Sequence, residues 1–155
     1  MASSHVAHNC VVGDEAIFAN LATIGGHVHV GKGAFLGGMS VYHQNIRIGD
    51  YAIVSGFSGV RMDIPHFAKA AGYPAALHGA NVVGLKRRGF TKEELANIRS
   101  AYKLIQSKKM TLTNVANSLE EEFANDKNVM RLVEFIRTTK RGIYLGKSDS
   151  ANSEE

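Results

Sequence analysis

Ten large apolar or aromatic residues recur at an interval of six: Val6, Val12, Phe18, Ile24, Val30, Leu36, Tyr42, Ile48, Val54 and Val60. Neither an amphipathic helix nor an alternating strand repeats with this period. Four places beyond each stand Cys10, Ala16, Ala22, Val28, Ala34, Ser40, Ile46, Ala52, Ser58 and Ile64, mostly small residues. Gly follows the large residue directly at Gly13, Gly25, Gly31, Gly37 and Gly49. This is the hexapeptide pattern of a β-helix. One bulky side chain per short strand points inward, a small residue fits the corner, and Gly is expected to supply backbone geometry that other residues resist. A β-sandwich would instead alternate with period two and place turns every 8–12 residues or so, roughly.

Hexads of this kind resemble those of left-handed parallel β-helices, an exception to the usual right-handed crossover. Three hexads close one triangular coil, so residues n and n+18 stack about 4.8 Å apart. That arithmetic brings histidines together. His8 falls beneath Gly26, which adjoins His27, and Gly26 falls beneath Gln44, which adjoins His43. None of these histidines holds an inward position. The stripe reads as a functional site, with two alternatives: solvated surface histidines, or a metal site. The metal reading suffers because no carboxylate or thiol is expected beside the stripe to complete a coordination sphere.

Charge divides the chain in two. Residues 1–65 hold Lys32, Arg47 and Arg61 against Asp14, Glu15, Asp50 and Asp63, whereas residues 66–155 carry a net charge of +5. The single Cys10 excludes a disulfide framework and a multi-thiolate zinc site. No apolar run approaches the roughly 18 residues of a spanning helix, and the first residues lack a signal peptide's pattern, so the expected location is the cytoplasm.

Residues 1–65 are therefore read as the β-helix and 66–90 as an irregular crossover, marked by Pro74, Gly72, Gly79, Gly84 and Gly89. Residues 91–144 read as a helical domain. Thr91 and Glu94 form a capping box before Leu95, Ile98, Tyr102 and Ile105. Helical spacing recurs in Leu112, Val115, Ala116, Leu119 and Phe123, and again in Val129, Leu132, Val133 and Ile136. The polar residues 145–155 are expected to be disordered. Residues 86–109 hold Lys86, Arg87, Arg88, Lys92, Arg99, Lys103, Lys108 and Lys109 against only Glu93 and Glu94. Such density suggests a phosphate group or an acidic partner. Nucleic acid is disfavoured, because no nucleic-acid motif or interleaved aromatic residues accompany the bases.

Ser4 to Cys10 (SHVAHNC), Leu21 to Val28 (LATIGGHV), Gly37-Gly38-Met39 with His43-Gln44, and Asn81 to Phe90 (NVVGLKRRGF) resemble the UDP-N-acetylglucosamine acyltransferases of lipid A biosynthesis. The resemblance spans residues 1–144 and implies a left-handed β-helix followed by a small helical domain. It implies homotrimers with sites between neighbouring subunits, moving an (R)-3-hydroxyacyl chain from acyl carrier protein to the sugar 3-position, without metal or other cofactor. By position His8 matches the general base and Gly26 the oxyanion donor. His5, His27, His43 and Gln44 match substrate contacts, and Asn81, Arg87 and Arg88 match residues around the nucleotide and its phosphates. Gly56 matches the position that gauges acyl-chain length, and Arg99 and Lys103 fall where the carrier protein would dock.

The chemistry agrees with these roles. An imidazole, ordinarily of pKa ~6.5, can take the proton of a sugar hydroxyl as it attacks a thioester. A Gly amide can then hold the resulting oxyanion. Asn9 stands where the O-acyltransferase pattern has a carboxylate. Met1 aligns inside the family's β-helix, so the chain is expected to be a fragment or a truncated homologue lacking the first coils. The competing expectation is an inactive β-helical trimerisation or binding module.

Overall fold

Each hexad contributes one two-residue strand: β1 (His5–Val6), β2 (Val11–Val12), β3 (Ile17–Phe18), β4 (Thr23–Ile24), β5 (His29–Val30), β6 (Phe35–Leu36), β7 (Val41–Tyr42), β8 (Arg47–Ile48), β9 (Ile53–Val54) and β10 (Gly59–Val60). The computed structural model describes residues 1–107 and 110–145. Strands of successive coils pair in parallel with the expected spacing, His5 opposite Thr23, Val11 opposite His29 and Ile17 opposite Phe35. They form three sheets, ordered β1-β4-β7-β10, β2-β5-β8, and β3-β6-β9 continued by later strands. The faces of a triangular prism result.

The two inward positions of each hexad fill this prism. Ile24 and Leu36 are fully buried and Ile48 is 2% exposed, as are the small partners Ala22, Ala34 and Ala52 at 0%. Val6 and Val12 depart from the expectation at 48% and 44% exposure. They lie in β1 and β2, which with β3 are the end strands of their sheets, and among the described residues no further strand pairs with them on that side.

Glycine plays a different part from the one expected. The left-handed backbone falls three places beyond each large residue from Val6 to Val54, at Asn9, Glu15, Leu21, His27, Gly33, Met39, Asn45, Tyr51 and Phe57, with φ between 56° and 63°. The glycines directly after the large residues are not in that region; what they allow is close approach of the next coil. A Cβ on Gly13 would lie 2.7 Å from the Lys32 amide nitrogen, and one on Gly25 2.9 Å from that of Gln44.

Beyond β10 the coil loses two residues, so that Ile64 pairs with Ile48 and Lys69 with Ile53. Parallel pairing thus continues past Pro65. The segment read as an irregular crossover is instead a hairpin, β11 (Ala68–Ala71) and β12 (Ala76–Ala80), followed by the short helix α1 (Val82–Arg87). Its alternation was hidden because alanine carries it. Ala68, Ala70 and Leu77 are buried while Lys69 and His78 are exposed, and alanine has little strand preference.

Three helices complete the fold: α2 (Lys92–Ile105), α3 (Leu112–Glu122) and α4 (Lys127–Thr138). The Thr91–Glu94 capping box is formed in full, and Thr111 and Asp126 cap α3 and α4. The periodic residues Leu95, Ile98, Tyr102, Ile105, Val115, Leu119, Val129, Leu132 and Ile136 are buried together, while Leu112 and Phe123 are half-buried against them. Arg131 of α4 ion-pairs with Asp50 of the β-helix, and the Arg47 guanidinium stacks 4.1 Å from the Phe135 ring. After α4 the chain returns to the prism, where Asp63 donates its N–H to the Gly142 carbonyl at 2.9 Å and pairs with Ile143. Lys108, Lys109 and the tail beyond Leu145 lie outside the described residues.

Candidate active site

The coil register places His8–Asn9, Gly26–His27 and Gln44–Asn45 on one corner of the prism, between the faces of β1 and β2. His27 donates its N–H to the His8 carbonyl and Asn45 to that of Gly26, each at 3.0 Å. Asn9 is in the left-handed conformation that Asn tolerates better than most residues. From there its side-chain oxygen lies 3.0 Å from His8 Nδ1. An amide oxygen only accepts, so the neutral His8 ring carries its hydrogen on Nδ1 and leaves a lone pair on Nε2.

The His8 ring lies over Gly26, where an added Cβ would fall 2.7 Å from Cε1 and from Nε2. Gly26 is buried, and its N–H meets no carbonyl acceptor among the described residues. The His27 ring stands edge-on to that of His8, with centroids 5.1 Å apart. The His8 ring, the Gly26 backbone and the His27 ring therefore lie together on one corner.

Other residues belong to the same corner without a signal in sequence. The thiol of Cys10, half-buried against the core, donates to the Gly25 carbonyl at 3.1 Å. Among the described residues no three His, Cys, Asp or Glu side chains converge as a metal-binding set. A cleft of about 350 Å³ opens beside His27, lined by His29, Asn45, Arg47, Asp63, Thr138 and Lys140. Arg141 approaches His43 from the segment after α4. These contacts cross 76 positions of sequence from Asp63 to Thr139 and 98 from His43 to Arg141.

The remaining expected residues lie elsewhere. His5 is exposed on β1. Asn81 caps α1, accepting from Gly84 N–H at 3.1 Å and donating to the Tyr51 carbonyl at 3.0 Å. Arg88 pairs with Glu15 at 2.8 Å and lies 4.8 Å from the centroid of the Tyr51 ring. That hydrogen bond from Arg88, reinforced by Lys32, holds the Glu15 carboxyl below the usual carboxylate range. Arg87 is exposed in the last turn of α1. Asn81 and Arg88 thus serve the corner of Glu15, Gly33 and Tyr51, a different corner from that of His8. Gly56 lies near the third, where its Cβ would stand 3.0 Å from the Gly38 carbonyl oxygen. Arg99 and Lys103, one turn apart on α2, line a cleft of about 470 Å³ with His78 and Gln106.

The family model described as UDP-N-acetylglucosamine O-acyltransferase, domain 2, matches residues 63–144. The chain belongs to the UDP-N-acetylglucosamine O-acyltransferase family. It is 44% identical over 143 residues to the acyl-[acyl-carrier-protein]–UDP-N-acetylglucosamine O-acyltransferase of Thiobacillus denitrificans, covering 92% of this chain and 55% of that one. It superimposes on the UDP-N-acetylglucosamine acyltransferase of Campylobacter jejuni with a TM-score of 0.86 and 35% identity, over 93% of this chain and 56% of the other. For the Francisella novicida enzyme the TM-score is 0.89 at 29% identity, over 100% and 59%. The O-acyltransferase fold here is accordingly a left-handed parallel β-helix followed by helices. The chain spans about half the length of the curated relatives it matches. No helix among the described residues is long and apolar enough to cross a membrane.

Proposed function

We propose that the chain carries the acyl-transfer centre of an acyl-carrier-protein-dependent UDP-N-acetylglucosamine O-acyltransferase, acting in the cytoplasm at the entry to lipid A synthesis. The reading rests above all on His8, oriented by Asn9 over Gly26 within this family's fold. His8 Nε2 removes the proton of the sugar 3-hydroxyl as its oxygen attacks the thioester carbonyl carbon. The carbonyl oxygen becomes an oxyanion facing the Gly26 N–H. Collapse breaks the carbon–sulfur bond, and the proton passes from His8 to the departing thiolate of the carrier arm. The 3-O-acyl sugar nucleotide and the free carrier thiol are the products, and no metal or redox cofactor enters these steps.

The distribution of residues over three corners supports a shared site. A homotrimer sets the His8 corner of one subunit beside the Arg87, Arg88 or Gly56 corner of the next, so each site draws on two chains. Arg87 is free to meet the nucleotide phosphates, whereas Arg88 is committed to Glu15 and positions the loop. His5, His27, His43 and Gln44 contact the substrates. Gly56, lacking a side chain, leaves room for a longer acyl chain. Arg99 and Lys103 offer a basic cleft to the acidic carrier protein.

The test is transfer from an (R)-3-hydroxyacyl carrier thioester to radiolabelled UDP-N-acetylglucosamine, with sedimentation in parallel. Wild-type protein should be active and trimeric, and His8→Ala should lose on the order of 10²–10⁴ in rate with its fold intact. Equal transfer with and without His8 contradicts the assignment, and a monomer at micromolar concentration contradicts the shared site.

A further inference from the structure

Two histidines of the His8 corner have their Nδ1 atoms held by partners of opposite chemistry. His8 Nδ1 faces the Asn9 side-chain oxygen at 3.0 Å, an acceptor. His43 Nδ1 faces the Arg141 guanidinium at 3.1 Å, and a guanidinium has no lone pair to offer and is not deprotonated in proteins. At that nitrogen Arg141 can only donate. The same Nη2 group also donates to the Gln44 carbonyl at 3.2 Å, bridging two acceptors that lie 3.1 Å apart.

The choice is real, because His43 has another tautomer within reach. With a hydrogen on Nδ1 it would donate to the Gln44 carbonyl, but that hydrogen would then confront the guanidinium N–H groups. With Arg141 in place the hydrogen is driven to Nε2, and without it the Gln44 carbonyl favours Nδ1. Arg141 itself is held where it is. Before it, Thr139 Oγ1 donates to the Asp63 carboxylate at 2.6 Å, and directly after it the Gly142 carbonyl accepts from Asp63 N–H. Further along, Ile143 is buried and the Tyr144 hydroxyl accepts from Arg61 N–H at 2.9 Å.

We propose that Arg141 is a positioning residue that holds His43 as the Nε2–H tautomer, so that the site presents one imidazole with a free lone pair, His8, and one with a free donor, His43. His43 then serves as a hydrogen-bond donor to a substrate oxygen and is not a second base. Its role in transfer rests on the acyltransferase reading above; the tautomer itself does not.

The experiment is ¹⁵N-imidazole NMR of the full chain above pH 7, with the His43 signals assigned by their loss in His43→Gln. Wild type should show Nε2 protonated and Nδ1 bare at His43, with the reverse at His8. Arg141→Met, which keeps the aliphatic stem and removes the donors, should move His43 predominantly to the Nδ1–H form. Arg141→Lys, which restores a donor, should retain the wild-type tautomer at least in part. A wild-type His43 with its hydrogen on Nδ1, or an Arg141→Met spectrum unchanged from wild type, overturns the proposal. If Arg141→Met fails to fold, the wild-type and Arg141→Lys spectra still decide it. In the transfer assay Arg141→Met should lower kcat/KM roughly tenfold, the size of one lost hydrogen bond of this kind, and Arg141→Lys should recover much of it. An inactive wild-type protein would contradict the acyltransferase reading alone, since the spectra report the tautomer whether or not the chain transfers acyl groups.

Discussion

The His8 imidazole rests on the bare Cα of Gly26, one coil away, at a separation that leaves no space for a methyl group. Gly26 does not adopt the left-handed conformation, so an alanine there is tolerated by the backbone and collides only with an exposed ring. Gly26→Ala should therefore leave thermal stability within about 1 kcal/mol of wild type. Transfer should nevertheless fall on the order of 10²-fold, because the ring is pushed from its place and the amide is crowded. Undiminished transfer by a folded Gly26→Ala protein would show that the His8–Gly26 stack is not where acyl transfer occurs.

Asn9 orients His8 and also occupies a left-handed corner, two demands that substitution can separate. Asn9→Gly keeps the corner comfortable and removes the acceptor. It should lower turnover roughly tenfold at unchanged stability. Asn9→Asp restores an acceptor with charge and should match or exceed wild type in kcat. Equal turnover in all three proteins would mean that the Asn9 contact does not set the ring's tautomer during catalysis.

The glycines that follow the inward residues are required by neighbouring backbone. Gly49→Ala would drive a methyl group into the His66 main chain, whereas a Cβ on Gly38 finds its nearest neighbour, the Asn20 carbonyl oxygen, at 3.3 Å. Urea unfolding should show Gly49→Ala destabilised by about 1–3 kcal/mol or more. Gly38→Ala should cost well under that. Equal midpoints for the two variants would contradict the coil packing.

His66 links the prism to the helices, accepting at Nδ1 from the Asp50 N–H at 2.8 Å and lying against Phe67 and Phe135. Burial, helped by Arg131 and Arg47 and opposed by Asp50, lowers its pKa from 6.5 to about 4. Between those values the unfolded chain binds a proton that the folded chain refuses, so stability rises with pH across the window and is lost on acidification. The full span corresponds to on the order of 3 kcal/mol. His66→Gln, which retains an acceptor without titrating, should show a shallower fall between pH 6.5 and pH 4. Parallel stability profiles for the two proteins would place the acid sensitivity elsewhere.

The β-helix was legible because its period is local. Every hexad repeats the same requirement for an inward large residue and a small partner, and stacking by three hexads follows from closing a triangle, so the n+18 register and the His8–Gly26–Gln44 stripe could be read by counting. Helices α2, α3 and α4 were legible for the same kind of reason, through apolar spacing that lies within one element and, for α2, the Thr91–Glu94 capping box. The β11–β12 hairpin was not, since its alternation is written in alanine and its pairing with β9 depends on a coil shortened by two residues. The glycines were legible as a pattern but misread in cause, because their neighbours belong to the next coil.

By itself, then, the sequence determined the solenoid, its register, the histidine corner and the helices, all consequences of periodicity and of contacts along the chain or a constant step apart. Only the tertiary structure decided what surrounds that corner. It turned Arg88 toward Glu15 and Asn81 onto Tyr51, and brought Asp63, Thr139 and Arg141 to the side of His27 and His43. No repeat encodes those contacts. They arise because burial of the helical stripes and the Arg131–Asp50 pair fold α4 back against the prism, which returns the following residues to a corner nearly 100 positions earlier in the chain, about the 98 that separate Arg141 from His43.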